Sequence, residues 1–217
     1  MWFAASKGLM YPHQVAFKDG QGTTDALLYF EHFATTALAT KNHVSTLSLD
    51  FEKAYDGIGA HVVLQQLTKW QIGPKIFNFV KSFLSNRTFS VRLNNKFSNT
   101  YKLFNGTPQG SPLSVVLFII AFDEVNNILQ NHKRISHVIY ADDVLVFTKC
   151  KDLTVIEGDF LQILYKITEW SNTSGAKLSY NKCKIFHICN KRLCPPLNLS
   201  YNNVNIPNCH SLRILTR

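Results

Sequence analysis

Three aspartates have the clearest chemical potential in this sequence. Asp50 follows the alternating segment VSTLSL, and the adjacent Asp142 and Asp143 lie between the apolar runs HVIY and VLVF. Burying one unpaired carboxylate costs several kcal/mol, and two side by side repel each other. We therefore expect a cation near the pair, unless Asp142 and Asp143 form an ordinary solvated turn at a hairpin tip.

The pattern around Asp50 predicts that the carboxylates converge. Alternation buries Leu47 and Leu49 on one face of a strand and directs Asp50 to the opposite, more polar face. If this strand neighbours the hairpin of HVIY and VLVF, all the carboxylates meet at one sheet edge. Mg²⁺ takes oxygen ligands, and two such ions roughly 3.5 to 4 Å apart stabilise both oxygens of an in-line phosphoryl displacement.

Helices and hairpins are predicted around these acids. Helical periodicity indicates helices over residues 25–40, 63–70, 74–84, 112–130 and 153–170, the last closed by Gly175. Turn-forming residues predict hairpins at Asn94 and Asn95, at Ala141 and Asp142, and at Asn202 and Asn203. Ser111 and Pro112 suit the cap and first position of the helix that follows the turn-rich segment NGTPQG.

Composition and charge indicate a globular chain with an anionic partner. Of 217 residues, 46% are hydrophobic and 12% aromatic, and the formal charge is +9 with a pI near 9.3. A basic surface alone does not distinguish nucleic acid from an anionic membrane or from simple solubility. The longest apolar run, residues 115–122, is shorter than a span of about 20 residues, and no secretory signal is evident, so we expect an intracellular protein that is soluble or peripherally bound.

The cysteines predict reduced thiols. Their number is odd and no C-x-x-C pair occurs. The five are Cys150, Cys183, Cys189, Cys194 and Cys209. A zinc site built from Cys183, His187, Cys189 and Cys194 is the alternative, although this spacing fits no common zinc motif.

A series of segments resembles a known family. In chain order they are QVAFKDGQGTTDALL, LSLDFEKAYD, LSNRTFSVRL, NGTPQGSPLSVVLF, YADD, GAKLSYNKCK and SLRILTR. Together they resemble the motifs of the reverse transcriptase domain of non-LTR (LINE-type) retrotransposons, with insect Jockey-like elements the most similar. The resemblance covers nearly the whole chain.

This resemblance implies an α+β fold, a polymerase palm whose antiparallel sheet carries the aspartates, plus partial fingers. We expect one partial domain over residues 1–217, with a fingers remnant at about 1–43, a palm with an inserted fingers segment at about 44–217, and no thumb or endonuclease. The implied reaction is RNA-directed DNA synthesis with two Mg²⁺ ions, or Mn²⁺ in their place. The implied partners are an RNA template, a DNA primer and a dNTP, without a membrane, in the nucleus or cytoplasm.

The family motifs also imply roles for individual residues. Asp50, Asp142 and Asp143 match the catalytic, metal-binding triad. Tyr55 matches an aromatic steric gate against the ribose 2′-hydroxyl, although a half-buried core tyrosine has the same pattern. The remaining matches are Gln109 and Gly110 in a loop that contacts nucleotide and template, Lys182 at the pyrophosphate, Lys18 at the triphosphate where an arginine is usual, and Phe51, Tyr140 and Ala141 at the substrate.

Two nearby residues and several departures leave alternatives open. Asp56 either caps the following helix or supports the site, and Arg87 matches a family position without an evident role. Gly22 replaces a usual serine, Thr107 a usual valine and Val115 a common proline. One rival, favoured by the expected lack of flanking regions together with the altered Gly22 and Val115, is a catalytically inactive remnant that binds nucleic acid. Another is an RNA-dependent RNA polymerase, against which Tyr55 argues.

Overall fold

The fold is built from helices around one central sheet. The computed structural model describes residues 13–211. The helices are α1 (Thr23–Ala39), α2 (Ala54–Gly57), α3 (Ala60–Lys69), α4 (Pro74–Leu84), α5 (Pro112–Gln130) and α6 (Leu153–Ser174). The strands are β1 (His43–Leu49), β2 (Phe51–Glu52), β3 (Arg87–Phe89), β4 (Arg92–Leu93), β5 (Lys96–Phe97), β6 (Tyr101–Leu103), β7 (Ser136–Tyr140), β8 (Asp143–Cys150), β9 (Lys177–Leu178), β10 (Lys184–Ile188), β11 (Ser200–Tyr201), β12 (Val204–Asn205) and β13 (Asn208–Cys209).

The central sheet has five strands in the order β13-β10-β1-β8-β7. Strand β1 is antiparallel to both β10 and β8, β7 is antiparallel to β8, and β13 is parallel to β10. The mixed α and β composition and the mostly antiparallel sheet confirm the predicted fold class. Because β1 is hydrogen bonded on both sides, its two ends have defined neighbours on β8 and β10.

Both faces of the sheet are covered. Helices α3, α5 and α6 pack on the face that carries Leu47 and Leu49, where large side chains such as Phe122 are fully buried. Helix α1 packs on the other face, with Phe33 4.9 Å from the ring of Phe147. Thr46 on that face is therefore 0% exposed. The face opposite the leucines, which was expected to be polar, is covered by α1 at this position. A central strand between two helical layers buries polar and apolar positions alike.

Helix α5 extends beyond the apolar run of residues 115–122 at both ends. It is long and apolar enough to cross a membrane by length and composition, with a mean hydropathy of 1.6 over the 18-residue window. However, 61% of that window is buried inside the fold. Phe118, Ala121 and Val125 have no exposed surface, which is typical of the core helix of a globular domain. The helix is weak evidence for a membrane.

The turns predicted from the sequence are present. Arg92 pairs with Phe97 across Asn94 and Asn95, and β7 and β8 pair across Ala141 and Asp142. Helix α6 is about one turn longer than predicted and ends at Gly175, whose φ of +82° is a left-handed conformation that suits glycine. Most of the segment SLRILTR lies outside the described residues.

Candidate active site

Asp50 lies at a break between two strands. It follows the last residue of β1 and precedes β2, which leaves the sheet to pair with β9. The backbone carbonyl of Asp50 accepts a hydrogen bond from the Ser179 amide at 2.8 Å, so the break is held from the β9 side. The side chain is 38% exposed, and its Oδ1 lies 3.5 Å from Lys182 Nζ. The carboxylate is therefore accessible and faces a cation.

The tight turn between β7 and β8 places Asp142 and Asp143 beside Asp50. Leu49 pairs with Val144 in the sheet, so the next antiparallel position sets Asp50 across from Asp143. Ala141 has a φ of +55°, a left-handed conformation unusual for alanine, which permits the two-residue turn. The predicted convergence of the acids is confirmed as geometry, because the two strands are direct neighbours.

A cavity of about 440 Å³ opens over these aspartates. It is lined by Asp50, Phe51, Lys53, Ala54, Tyr55, Asp56, Gln109, Gly110, Ser111, Ser114, Val115, Asp142, Asp143 and Lys182. The structure thus brings together the triad and the predicted Tyr55, Gln109, Gly110, Lys182 and Phe51. Hard oxygen donors grouped at an accessible cavity fit divalent cations such as Mg²⁺. The cavity is large enough for more than a metal alone.

Lys18, Tyr140 and Ala141 do not line this cavity. Tyr140 packs with the apolar cluster under α1, on the opposite side of the hairpin. Burial lowers the pKa of the Lys18 ammonium, and Lys18 also lies near His13. Their roles at substrate and triphosphate remain predictions, and any such contact requires ligand that extends beyond the cavity.

Tyr55 is both packed and accessible. Its ring stacks on Phe118, with 4.0 Å between the centroids and 18° between the planes. Burial, and then the charge of Asp142, raise the pKa of the Tyr55 hydroxyl. Tyr55 can therefore be both a half-buried core residue and a steric gate, since packing against α5 holds the ring rigidly at the wall of the cavity.

The loop before α5 is docked on the short helix α2. The amide of Gly106 donates to the Ile58 carbonyl at 2.7 Å, and the amide of Thr107 donates to the Tyr55 carbonyl at 2.9 Å. A Cβ on Gly106 would lie 2.8 Å from backbone atoms of Asp56, and φ is +81° there. Only glycine permits this approach, which fixes the loop relative to Tyr55.

Asp56 supports the site and does not cap the next helix. Its Oδ1 accepts a hydrogen bond from Gln109 Nε2 at 2.6 Å, whereas the N-cap of α3 is Gly59. This contact orients the Gln109 side chain along the wall of the cavity. The alternative left open by the sequence is decided by a contact between residues 53 positions apart.

Arg87 also has a structural role that the sequence did not indicate. Its Nη2 donates to the carbonyls of Asn105 at 2.8 Å and Gly106 at 2.6 Å. The guanidinium therefore holds the start of the loop that carries Gln109. Side-chain contacts to a distant backbone have no local sequence pattern. The sequence therefore indicated only that Arg87 matches a family position and not what it contacts.

Lys53 is a cavity residue that sequence reasoning missed. It lines the cavity with Lys182, so two ammonium groups accompany the carboxylates. Lys53 has a φ of +45° and precedes α2. Within LSLDFEKAYD it occupies a position at which the family motif specifies no residue, so no signal distinguished it from a solvated lysine.

Solved structures with a similar fold are telomerases. The chain matches apo telomerase from Candida tropicalis with a TM-score of 0.60 and 13% identity, over 86% of this chain and 35% of that one. It matches the same organism's telomerase in complex with a fragment of telomeric RNA with a TM-score of 0.58 and 14% identity, over 79% of this chain and 30% of that one. At this identity, the likeness shows a shared polymerase fold.

The family follows from the sequence comparison. The model of the family described as reverse transcriptase (RNA-dependent DNA polymerase) matches residues 4–215, and the chain belongs to this family. Members of the family generally depend on divalent metal.

Relatives confirm the resemblance to non-LTR retrotransposons. The RNA-directed DNA polymerase from mobile element jockey of Drosophila melanogaster is 26% identical over 86% of this chain and 21% of its own length. The probable RNA-directed DNA polymerase from transposon X-element of the same species is 26% identical over 94% of this chain and 22% of its own length. The Pol polyprotein of retrotransposable element R2 from Popillia japonica is 25% identical over 75% of this chain and 27% of its own length. The chain thus spans about a fifth to a quarter of these relatives.

Proposed function

We propose that this chain carries the catalytic core of a non-LTR retrotransposon reverse transcriptase, which extends a DNA primer on an RNA template. The observation that carries the proposal is the meeting of Asp50, Asp142 and Asp143 at one cavity, with Tyr55 and Gln109 in its walls. A chain of the reverse transcriptase family with this geometry has the parts that templated nucleotidyl transfer requires. Within residues 13–211, no contact at the site favours the inactive remnant or an RNA-synthesising enzyme.

In this proposal the three aspartates hold two divalent cations, Mg²⁺ or Mn²⁺. Bound there, the cations would activate the primer 3′-hydroxyl and neutralise charge on the dNTP triphosphate. The aspartates themselves accept no proton in this scheme and serve as oxygen donors. Their position at the end of hydrogen-bonded strands keeps the donors in place before substrate arrives.

Lys182 is the residue proposed to act on the leaving pyrophosphate. Its ammonium lies 3.5 Å from Asp50 in the protein alone. A cation bound to Asp50 would compete for that carboxylate, and the ammonium could then turn to a phosphate oxygen and donate a charge-assisted hydrogen bond or a proton. Lys53, on the same cavity, is a second cation within the site that suits a triphosphate.

Tyr55 and Gln109 are proposed to select and orient the nucleotide. The Tyr55 ring, stacked on Phe118, cannot easily move aside for a ribose 2′-hydroxyl. The Gln109 amide is oriented by Asp56, and Arg87 holds the loop behind it. Asp56 and Arg87 thus position the Gln109 side chain and its loop, whereas Tyr55 is the residue expected to touch the sugar.

The assignment of regions follows from the same proposal. Residues up to about 43 would be a fingers remnant, and the rest a palm with an inserted fingers segment that contains β3 to β6. RNA template and DNA primer would follow basic surface outside the acidic centre, because phosphate contacts are mostly to lysine and arginine. Such a complex would act in the nucleus or cytoplasm, where its RNA is found.

Primer extension on an RNA template, with dNTPs and Mg²⁺, tests the proposal. We expect extension by the chain and none by the Asp142→Asn/Asp143→Asn double variant, because an amide is a weaker cation ligand than a carboxylate. Asp19→Asn, an exposed aspartate outside the cavity, is the matched control and should extend normally. Extension that survives the double substitution would exclude the two-metal mechanism, and a chain that binds template without extending it would contradict catalysis by this chain.

A further inference from the structure

A second group of metal-ligating side chains lies at the opposite end of the same strands. His43 begins β1, and His187 and Cys189 lie at and just beyond the end of β10. Val44 pairs with Ile188, so His43 lies across from Cys189, and Ser45 pairs with His187. Side chains directly opposite, or two residues apart along a strand, share one face of a sheet. The strand pairing therefore brings all three side chains to the same face.

The ligand atoms of these residues are close together. His43 Nδ1 lies 2.9 Å from His187 Nε2, and with Cys189 Sγ the three atoms lie within 4.8 Å of one another. His43 is only 6% exposed. Tetrahedral coordination with metal–nitrogen bonds of about 2.0 to 2.1 Å needs a nitrogen separation of roughly 3.3 Å. The two imidazoles need to separate by only a few tenths of an ångström.

The hydrogen bond on the far side of His187 sets its protonated nitrogen. His187 Nδ1 lies 2.8 Å from the carbonyl oxygen of Pro195. A carbonyl can only accept, so Nδ1 carries the hydrogen, and Nε2 of the neutral ring presents its lone pair to the cluster. Metal-bound histidines commonly donate their other ring N–H to such an outer partner. The ring is thus already oriented as a ligand.

A second sulfur stands next to the first. Cys189 and Cys194 are joined as a disulfide in the structure, which contradicts the expectation that all five cysteines are reduced, while Cys150, Cys183 and Cys209 are free. The spacing C-x₄-C lies within the range common among zinc sites. Cys183, which the sequence analysis grouped with them, lies at the other end of β10 and donates to the Ser179 carbonyl. His43 takes the place that Cys183 was expected to fill.

We propose that His43, His187, Cys189 and Cys194 bind one Zn²⁺ when the disulfide is reduced. Two thiol reductant molecules would convert the disulfide to two cysteine thiols and leave as their own disulfide. Each cysteine would lose a proton on binding. His43 Nδ1, which donates to His187 Nε2 in the metal-free protein, would give up that hydrogen while Nε2 of the same ring takes one up, so two thiolates and two neutral imidazoles surround the cation. The charges of the two thiolates balance that of Zn²⁺, so the site adds no net charge beside the ammonium of Lys191.

The ligand set defines a structural site. Two nitrogens and two sulfurs complete the tetrahedron of Zn²⁺, so no position is left for water or substrate. The cation would tie the start of β1 to the end of β10 and to the loop up to Pro195. This inference does not depend on the proposed polymerase activity, since none of its residues lines the cavity over the aspartates.

Zinc stoichiometry in the full chain is the test. The chain is prepared with a phosphine reductant, dialysed against limiting Zn²⁺, and assayed with a chromogenic chelator. We expect one zinc per chain, and at least about 100-fold weaker binding for Cys194→Ser and for His187→Asn, because loss of even an outer partner costs 10- to 100-fold. Cys209→Ser is the matched control, since Cys209 pairs with Phe186, whose side chain points to the other face from His187. His32→Asn, an exposed histidine on α1, is the second control.

Two readouts guard against loss of binding through misfolding. Co²⁺ in place of Zn²⁺ should give a thiolate-to-metal charge-transfer band in the wild type that is reduced in Cys194→Ser. Oxidised wild type, which carries no substitution, should lose the zinc and regain it on reduction. No zinc in the reduced wild type, binding by the oxidised form as tight as by the reduced form, or retention in both ligand variants would overturn the proposal.

Discussion

The two ends of the central sheet carry different ligand chemistry. At one end β1 and β8 present carboxylates to an open cavity of about 440 Å³, and at the other β1 and β10 gather imidazoles and sulfurs with His43 almost fully buried. Hard oxygen donors suit Mg²⁺, which keeps open positions for substrate, whereas nitrogen and sulfur suit closed Zn²⁺ sites. Opposite ends of the same strands can therefore hold a catalytic and a structural metal.

The largest expected effect is that selective metal removal affects stability at one end of the sheet and catalysis at the other. A zinc-selective chelator applied to the reduced chain should lower its melting temperature and leave Mg²⁺-dependent extension in place at permissive temperature, whereas EDTA should abolish extension. Asp143→Asn should lower extension by about 10³-fold or more through lost electrostatic stabilisation and keep its zinc. Extension rate and zinc content are measured on the same preparations. Loss of zinc together with activity in Asp143→Asn would contradict the independence of the two metal sites.

The buried carboxylate of Asp123, on helix α5, contrasts with the accessible aspartates at the cavity end of the sheet. Burial raises the pKa of Asp123 from 3.8 to about 6, despite hydrogen bonds from Gln66 and Trp70. The folded chain therefore binds a proton that the unfolded chain has lost, and the free energy of unfolding falls as pH rises from about 4 to about 6. The full difference is at most about 3 kcal/mol.

Asp123→Asn should remove this pH dependence. Between pH 3.5 and pH 7.5 the stability of the variant relative to wild type should rise by up to about 3 kcal/mol, as measured by urea denaturation at both pH values. Glu124→Gln, a neighbour paired with Lys69 at the surface, is the control and should change the slope by less than about 1 kcal/mol. An unchanged pH slope in Asp123→Asn would assign the pH dependence elsewhere.

The smallest effect concerns selectivity at the cavity end alone. Tyr55→Ala should lower discrimination between dNTP and rNTP by roughly 10- to 100-fold, because the ring wall against the 2′-hydroxyl is removed. Tyr55→Phe keeps the ring that stacks on Phe118 and should keep the discrimination. Single-nucleotide incorporation kinetics give both ratios. Equal discrimination by Tyr55→Ala and wild type would leave Tyr55 as a packing residue only.

Local patterns predicted the elements and the acids well. The hairpin at Ala141 and Asp142 follows from the two apolar runs that flank it, and the start of α5 at Pro112 and the glycine at the end of α6 follow from cap chemistry within a few residues. The closed face around Thr46 was not predictable in this way, because it depends on α1 packing across the sheet. The burial of polar residues inside α5, such as Asn126, was likewise not predictable, because it depends on the elements that pack around the helix.

The sequence by itself determined which residue types were available to bind metal and which segments become strands and helices, since both depend on residue types and short-range spacing. Only the tertiary structure decided which ligands meet. Asp50 faces Asp143 because β1 and β8 are neighbours, and His43 meets His187 across 144 positions because β1 and β10 are neighbours. Strand order and register are set by burial over the whole sheet, so no local pattern reports them.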